Sequence, residues 1–109
     1  LDSAAVAQPW VRYYLSYDPI VTARKVRVPA LLLQGGNDRQ ISPDQAAMLG
    51  DAMKAGGDRD VTVHVFPGLN HLFLVDSTGN PATYQALPSR VIGADVQGMI
   101  TGWIVQHSK

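Results

Sequence analysis

Two stretches of the chain carry apolar runs that stop at turn residues. Val28-Pro29-Ala30-Leu31-Leu32-Leu33-Gln34 ends at Gly35-Gly36-Asn37-Asp38, and Val61-Thr62-Val63-His64-Val65-Phe66 ends at Pro67-Gly68. The first is apolar almost throughout, as in a strand buried on both faces of a parallel sheet. The second alternates and is rich in β-branched residues, which also predicts a strand. Between them Ala46, Leu49 and Met53 make one apolar stripe at helical spacing. Ser42 and Gln45 read as a capping box with Pro43 at the first helical position, and Gly56-Gly57 as the stop. Strand, helix, strand is a βαβ unit, so strands at about 28–34 and 61–66, with a helix at about 43–55, are expected to run parallel.

The flanks are helical in pattern. Pro9 opens a helix over about 9–17, and Trp10, Tyr13, Tyr14 and Tyr17 fall on one of its faces. That aromatic stripe predicts core or interface packing, with a wall of a substrate pocket as the sharper reading for Trp10. Asp18-Pro19 ends it and caps a short helix over Ile20 to Lys25. Residues 2–8 are small and polar and predict little structure. Ser89 is expected to cap a last helix over about 89–107, buried through Ile92, Val96, Met99 and Trp103. Gly93, Gly98 and Gly102 suggest that this helix approaches a sheet closely. With no repeat or linker, residues 1–109 read as a single α/β segment.

Composition narrows the chemistry. Of 109 residues, 46% are hydrophobic and 17% charged, which suits a folded interior. Nine Lys plus Arg offset nine Asp plus Glu, so nothing favours nucleic acid. Every acid is aspartate, which excludes a His-Glu-x-x-His zinc site and any glutamate acid/base pair. The absence of cysteine excludes thiol nucleophiles, disulfides and Cys-ligated metals. No apolar run reaches the ~20 residues of a membrane span. A first residue of Leu instead of Met suggests a piece of something longer.

The polar residues that matter stand just past the two strands. Ligands of parallel sheets bind at the carboxyl ends of the strands, and Asp38 and His71 occupy equivalent places there. Adjacent strands lie about 4.8 Å apart, so the two side chains are expected within hydrogen-bonding reach. An aspartate so placed fixes a histidine's tautomer and stabilises its imidazolium, leaving the other ring nitrogen to take a hydroxyl proton. Taken singly, Asp38 also reads as a turn residue capping its own backbone, and His71 as a loop histidine held by Asn70. Metal binding by Asp38, His64 and His71 has no familiar ligand spacing, and neither metal nor cofactor is called for.

Val28 through Pro43, containing Gln34-Gly35-Gly36-Asn37-Asp38, resembles the acid-bearing segment of α/β-hydrolases. Val61 through Phe73, containing Gly68-Leu69-Asn70-His71, resembles the segment with the catalytic histidine. Pro9 to Pro19 resembles the segment before the acid strand in an esterase-like branch, and the last helix resembles the family's closing one. The resemblance implies a partial α/β-hydrolase fold, with Asp38 as triad acid, His71 as triad base and Leu72 and Phe73 as pocket or packing residues. The family's nucleophile lies in a Gly-x-Ser-x-Gly elbow. None of the serines here (3, 16, 42, 77, 89 and 108) sits in one. The expectation is therefore the C-terminal segment of a carboxylic ester hydrolase, with peptidase activity its nearest relative. It would pair with a missing N-terminal part or form a homo-oligomer. The alternative is a non-catalytic α/β module that self-associates through its sheet edges.

Overall fold

A computed structural model describes residues 2–109. Three short helices come first: α1 (Ser3–Ala7), α2 (Pro9–Ser16) and α3 (Pro19–Ala23). Then follow strand β1 (Ala30–Gly35), helix α4 (Gln45–Ala55), strand β2 (Val61–Phe66), a 3₁₀ turn (Pro81–Ala86) and helix α5 (Ala94–His107). The strands pair in parallel, in a register running from Ala30↔Val61 to Gly35↔Phe66. This is the expected βαβ unit.

The strand period divides the side chains between two layers. Ala30, Leu32 and Gln34 share a face with Val61, Val63 and Val65. Helix α4 covers that face, and it does so through a glycine: a Cβ on Gly50 would stand 2.5 Å from Val63 Cγ2. On the other face Phe66, Leu69 and Val96 form a buried cluster, with Leu33, Phe73 and Met99 packed against it. Helix α5 thus closes the second side of the sheet through Val96 and Met99.

Local chemistry accounts for several boundaries and corrects others. Asp18 caps α3, accepting from the Ile20 N–H at 2.9 Å, with Pro19 in the first turn. Residues 2–8 are more ordered than expected, because the Asp2 carboxylate accepts from the Ala5 N–H at 2.7 Å and starts α1. Helix α4 begins at Gln45, not Pro43, and the predicted capping box does not form. The Ser42 hydroxyl turns to Asp44 Oδ1, and the Ala46 N–H is taken by the side chain of Gln34. Helix α5 begins at Ala94, not Ser89: Gly93 is extended at its N-cap, and Val91 and Ile92 are exposed. Gly98 and Gly102 meet open space, so they mark no close approach to the sheet.

The molecule is a slab of 45 × 42 × 20 Å with a radius of gyration of 16.7 Å. A compact domain of this length has a radius near 13 Å. Its accessible surface is 7496 Å², against about 5,900 Å² for a compact monomer of this mass. Large apolar side chains contribute to that surface. Trp10, Tyr13, Tyr14, Leu15 and Tyr17 of α2 and its end are exposed, as are Ile100, Ile104 and Val105 of α5.

Candidate active site

The two strands deliver their loops to one edge, and the backbones join there. The Gly36 N–H donates to Phe66 O and the Asn37 N–H to Leu69 O, both at 2.8 Å. This crossing leaves no room for a side chain at the end of β1. A Cβ on Gly35 would lie 2.3 Å from Asn70 O and 2.5 Å from Leu69 O. Glycine at position 35 therefore brings the second loop directly over the first.

Asp38 is the next buried group along that edge. Its side chain is 4% exposed, and both oxygens are occupied. Oδ1 accepts from the N–H groups of Gln40 and Ile41, each at 2.9 Å. Oδ2 accepts from Gln34 Nε2 at 3.1 Å and faces His71 Nδ1 at 2.8 Å. Burial alone pushes the carboxyl up. The Ile41 N–H, the His71 ring and the Gln40 N–H together outweigh it and hold Asp38 below its ordinary value. Asp38 caps its own turn and also lies within hydrogen-bonding distance of the histidine, the proximity expected of positions just past adjacent parallel strands.

His71 is 37% exposed at its side chain. A carboxylate accepts, so the ring must donate through Nδ1–H, and the neutral ring then carries its lone pair on Nε2. Nε2 makes no hydrogen bond among the described residues. The loop that holds the ring is tied together by its neighbour. Asn70 is fully buried, and its Oδ1 accepts from the N–H groups of Leu72 and Leu74 at 2.9 and 3.1 Å. Its Nδ2 donates to Asp76 Oδ2 at 3.1 Å. The Gly79 N–H, Asn70 and Thr78 hold the Asp76 carboxyl below its ordinary value despite burial. Asn70 thus holds the loop backbone, while Asp38 holds the ring. Phe73 takes a positive φ of 60° within this loop, with its N–H on Asn70 O.

The structure distributes the other predicted residues unevenly. Leu72 is exposed beside His71. Phe73 packs edge-on against Phe66, ring centroids 6.1 Å apart, as part of the core cluster. Trp10 is 71% exposed on α2, which packs on α1. His64 lies edge-on to Phe66 at 4.4 Å. It does not join Asp38 and His71, and no group of three potential ligands among the described residues could hold a metal. Two surface hollows of about 370 and 360 Å³ lie elsewhere, one between α3 and α4 and one at Tyr14, Leu15, Tyr17 and Pro19. The partners that pattern alone did not single out are Gln34 and Asp76. The one signal for Gln34 was a polar residue ending an otherwise apolar strand.

Comparison with known proteins follows the same lines. A sequence profile described as the prolyl oligopeptidase family matches residues 7–88, which include Asp38, His71 and both strands. No curated protein matches the chain. Among solved structures, the apo form of esterase 2 from Thermogutta terrifontis is similar over 97% of this chain, at 18% identity and a TM-score of 0.53. That likeness is one of fold, and with the family match it shows an α/β-hydrolase fold. The chain spans 38% of the length of that esterase.

Proposed function

The chain belongs to the prolyl oligopeptidase family, and from that premise we propose that it supplies the acid and base of a serine hydrolase acting on carboxylic esters. Asp38 is the acid, His71 the base, and the serine lies outside residues 1–109. The observation that carries this reading is the 2.8 Å contact between a buried carboxylate and a half-exposed imidazole whose Nε2 is unengaged among the described residues.

The chemistry follows from the tautomer. His71 Nε2 takes the proton of the serine hydroxyl as its oxygen attacks the acyl carbon. Asp38 stabilises the imidazolium so formed. The ring then returns the proton to the departing alkoxide, leaving an acyl-enzyme. Water repeats the sequence and releases the acid. Amide hydrolysis uses the same steps with an amine as leaving group, and the family's description favours a peptide substrate as the second reading. Leu72, exposed next to the base, is proposed to border the acyl or alcohol site. Trp10, exposed on α2, is proposed as a further wall of the substrate pocket. Phe73 shapes the site from its place in the core.

The exposed apolar surface supports a partner for this segment. The chain's total accessible surface exceeds that of a compact monomer by roughly 1,600 Å², about twice what each partner contributes to an ordinary stable interface. That area suits an obligate contact with the remainder of a hydrolase domain. Edge-to-edge pairing of two copies is the alternative, favoured by the open edges of a two-stranded sheet.

A fluorophosphonate probe tests the assignment. The protein carrying the serine together with this segment is expected to be labelled, and His71→Ala to abolish labelling. The 109-residue chain alone is expected to remain unlabelled. Labelling of that chain by itself would overturn the placement of the serine. Sedimentation of the same chain as a dimer would favour edge pairing.

A further inference from the structure

We propose that Gln34 is a positioning residue for the Asp38–His71 pair, coupling the orientation of the acid to the first turn of α4. Gln34, next to the last residue of β1, lies on the sheet face covered by α4 and is 7% exposed. Both ends of its amide are used. Nε2 donates to Asp38 Oδ2 at 3.1 Å, and Oε1 accepts from the Ala46 N–H at 3.1 Å. A carboxylate accepts and a backbone N–H donates, so the amide has one orientation that satisfies both. Reversed, it would set oxygen against oxygen and N–H against N–H.

The oxygen that Gln34 holds is the one that matters. Asp38 Oδ1 is tied to its own turn by two backbone N–H groups, and Oδ2 alone faces the histidine. The carboxylate's remaining freedom is rotation that swings Oδ2. Among the described residues, Gln34 is the one side chain besides His71 on that oxygen. Its other end is anchored at an otherwise orphaned donor of α4's first turn. A helix that contributes no residue to the acid–base pair thereby fixes the direction in which the acid points.

This inference rests on the proposed acid–base roles, and its test does not need the serine. In the protein as it stands, the His71 Nδ1 proton is followed by NMR and its exchange with solvent measured. Gln34→Met keeps a similar volume and removes both hydrogen bonds. Its Nδ1 proton is expected to exchange about tenfold faster, the loss of one ordinary hydrogen bond's worth of protection. Unchanged exchange with a lowered melting temperature would reduce Gln34 to a helix cap and overturn the proposal. Should Gln34→Met not fold, the unmodified chain still decides. One Gln34 Nε2 proton must be protected from exchange, and Asp38→Asn must release it. A freely exchanging side-chain amide overturns the proposal. In the complete hydrolase, Gln34→Met is expected to lower kcat about tenfold with KM within about twofold, since Gln34 does not reach substrate. Accelerated Nδ1 exchange without any hydrolase activity in the complete protein would sink the functional reading and leave the positioning role standing.

Discussion

The described residues contain two histidine–aspartate pairs of nearly equal length, 2.8 Å for His71–Asp38 and 2.9 Å for His107–Asp60. In the first the aspartate is 4% exposed and the histidine 37%. In the second the order is reversed, with Asp60 at 51% and His107 at 19%. The decisive difference lies at the other ring nitrogen. His71 leaves Nε2 unengaged, whereas His107 sets Nδ1 against Trp103 O at 2.8 Å and Nε2 against Asp60 Oδ2. A ring facing two acceptors satisfies both only by donating twice, so the surroundings of His107 favour its imidazolium form. A ring facing one acceptor keeps a lone pair for chemistry. The separation of a pair therefore says little about its work, and the second nitrogen says most.

The strongest way to break the contrast is at Asp38. Asp38→Asn leaves an amide whose NH₂ group can face Nδ1 and reverse the tautomer. In the complete hydrolase kcat is expected to fall about 10³–10⁴-fold, because Nε2 then carries the proton and cannot accept one. Steady-state kinetics of the two proteins checks this. The same change has a stability signature. The carboxyl of Asp38 is held below its ordinary value, so its contribution is complete above the ordinary carboxylate value and is lost as pH falls through the depressed one. Denaturation midpoints of Asp38→Asn should accordingly show a shallower loss on the acid side.

A second test removes the scaffold and leaves the pair intact. Asn70 has no exposed surface and makes three side-chain hydrogen bonds within one loop. Asn70→Ala strands the N–H groups of Leu72 and Leu74 and one oxygen of buried Asp76. The expected cost is about 2–4 kcal/mol in chemical denaturation. It also releases Phe73 from its left-handed conformation, so the loop and His71 should become mobile together. A loss under about 0.5 kcal/mol, the range of an ordinary surface change, would show that the crossing at Gly35 holds the loop without Asn70.

How far these features could be seen beforehand depends on the range over which they are decided. The strands were legible because their apolar runs stop at glycine and aspartate. The Asp38–His71 contact was legible because equivalent positions after adjacent parallel strands must be neighbours. Gln34 was not, because its partners at positions 38 and 46 become neighbours only when a helix start is laid on one strand face. The same long-range contact displaced the start of α4, which local capping rules put at Ser42-Pro43. The start of α5 was misplaced for the opposite reason. Ser89 is a good cap by type, but Val91 and Ile92 find nothing to pack against. The aromatic stripe of α2 was plain in the sequence, and spacing alone does not tell which surface covers it.

The smallest expected effect belongs to the second pair, and it sharpens the contrast most directly. The Trp103 carbonyl, then the Asp60 carboxylate, raise His107 above the ordinary imidazole value, and burial opposes them. The Trp103 ring also stacks on the imidazole, centroids 4.0 Å apart and planes 22° from parallel. A raised value means that the pair's stabilisation is complete below the ordinary imidazole value and is lost as pH rises through the raised one. Asp60 O also accepts from the Ala30 N–H, so this contact pins the end of α5 to the start of both strands. The melting temperature should therefore decline as pH rises through that window, and His107→Gln should flatten the decline by removing the titrating ring. Because the pair is partly solvated, moderate salt should weaken the effect. If His107→Gln kept the full decline, the doubly donating imidazolium would be the wrong description of this ring, and both pairs would have to be read as single contacts to an acceptor.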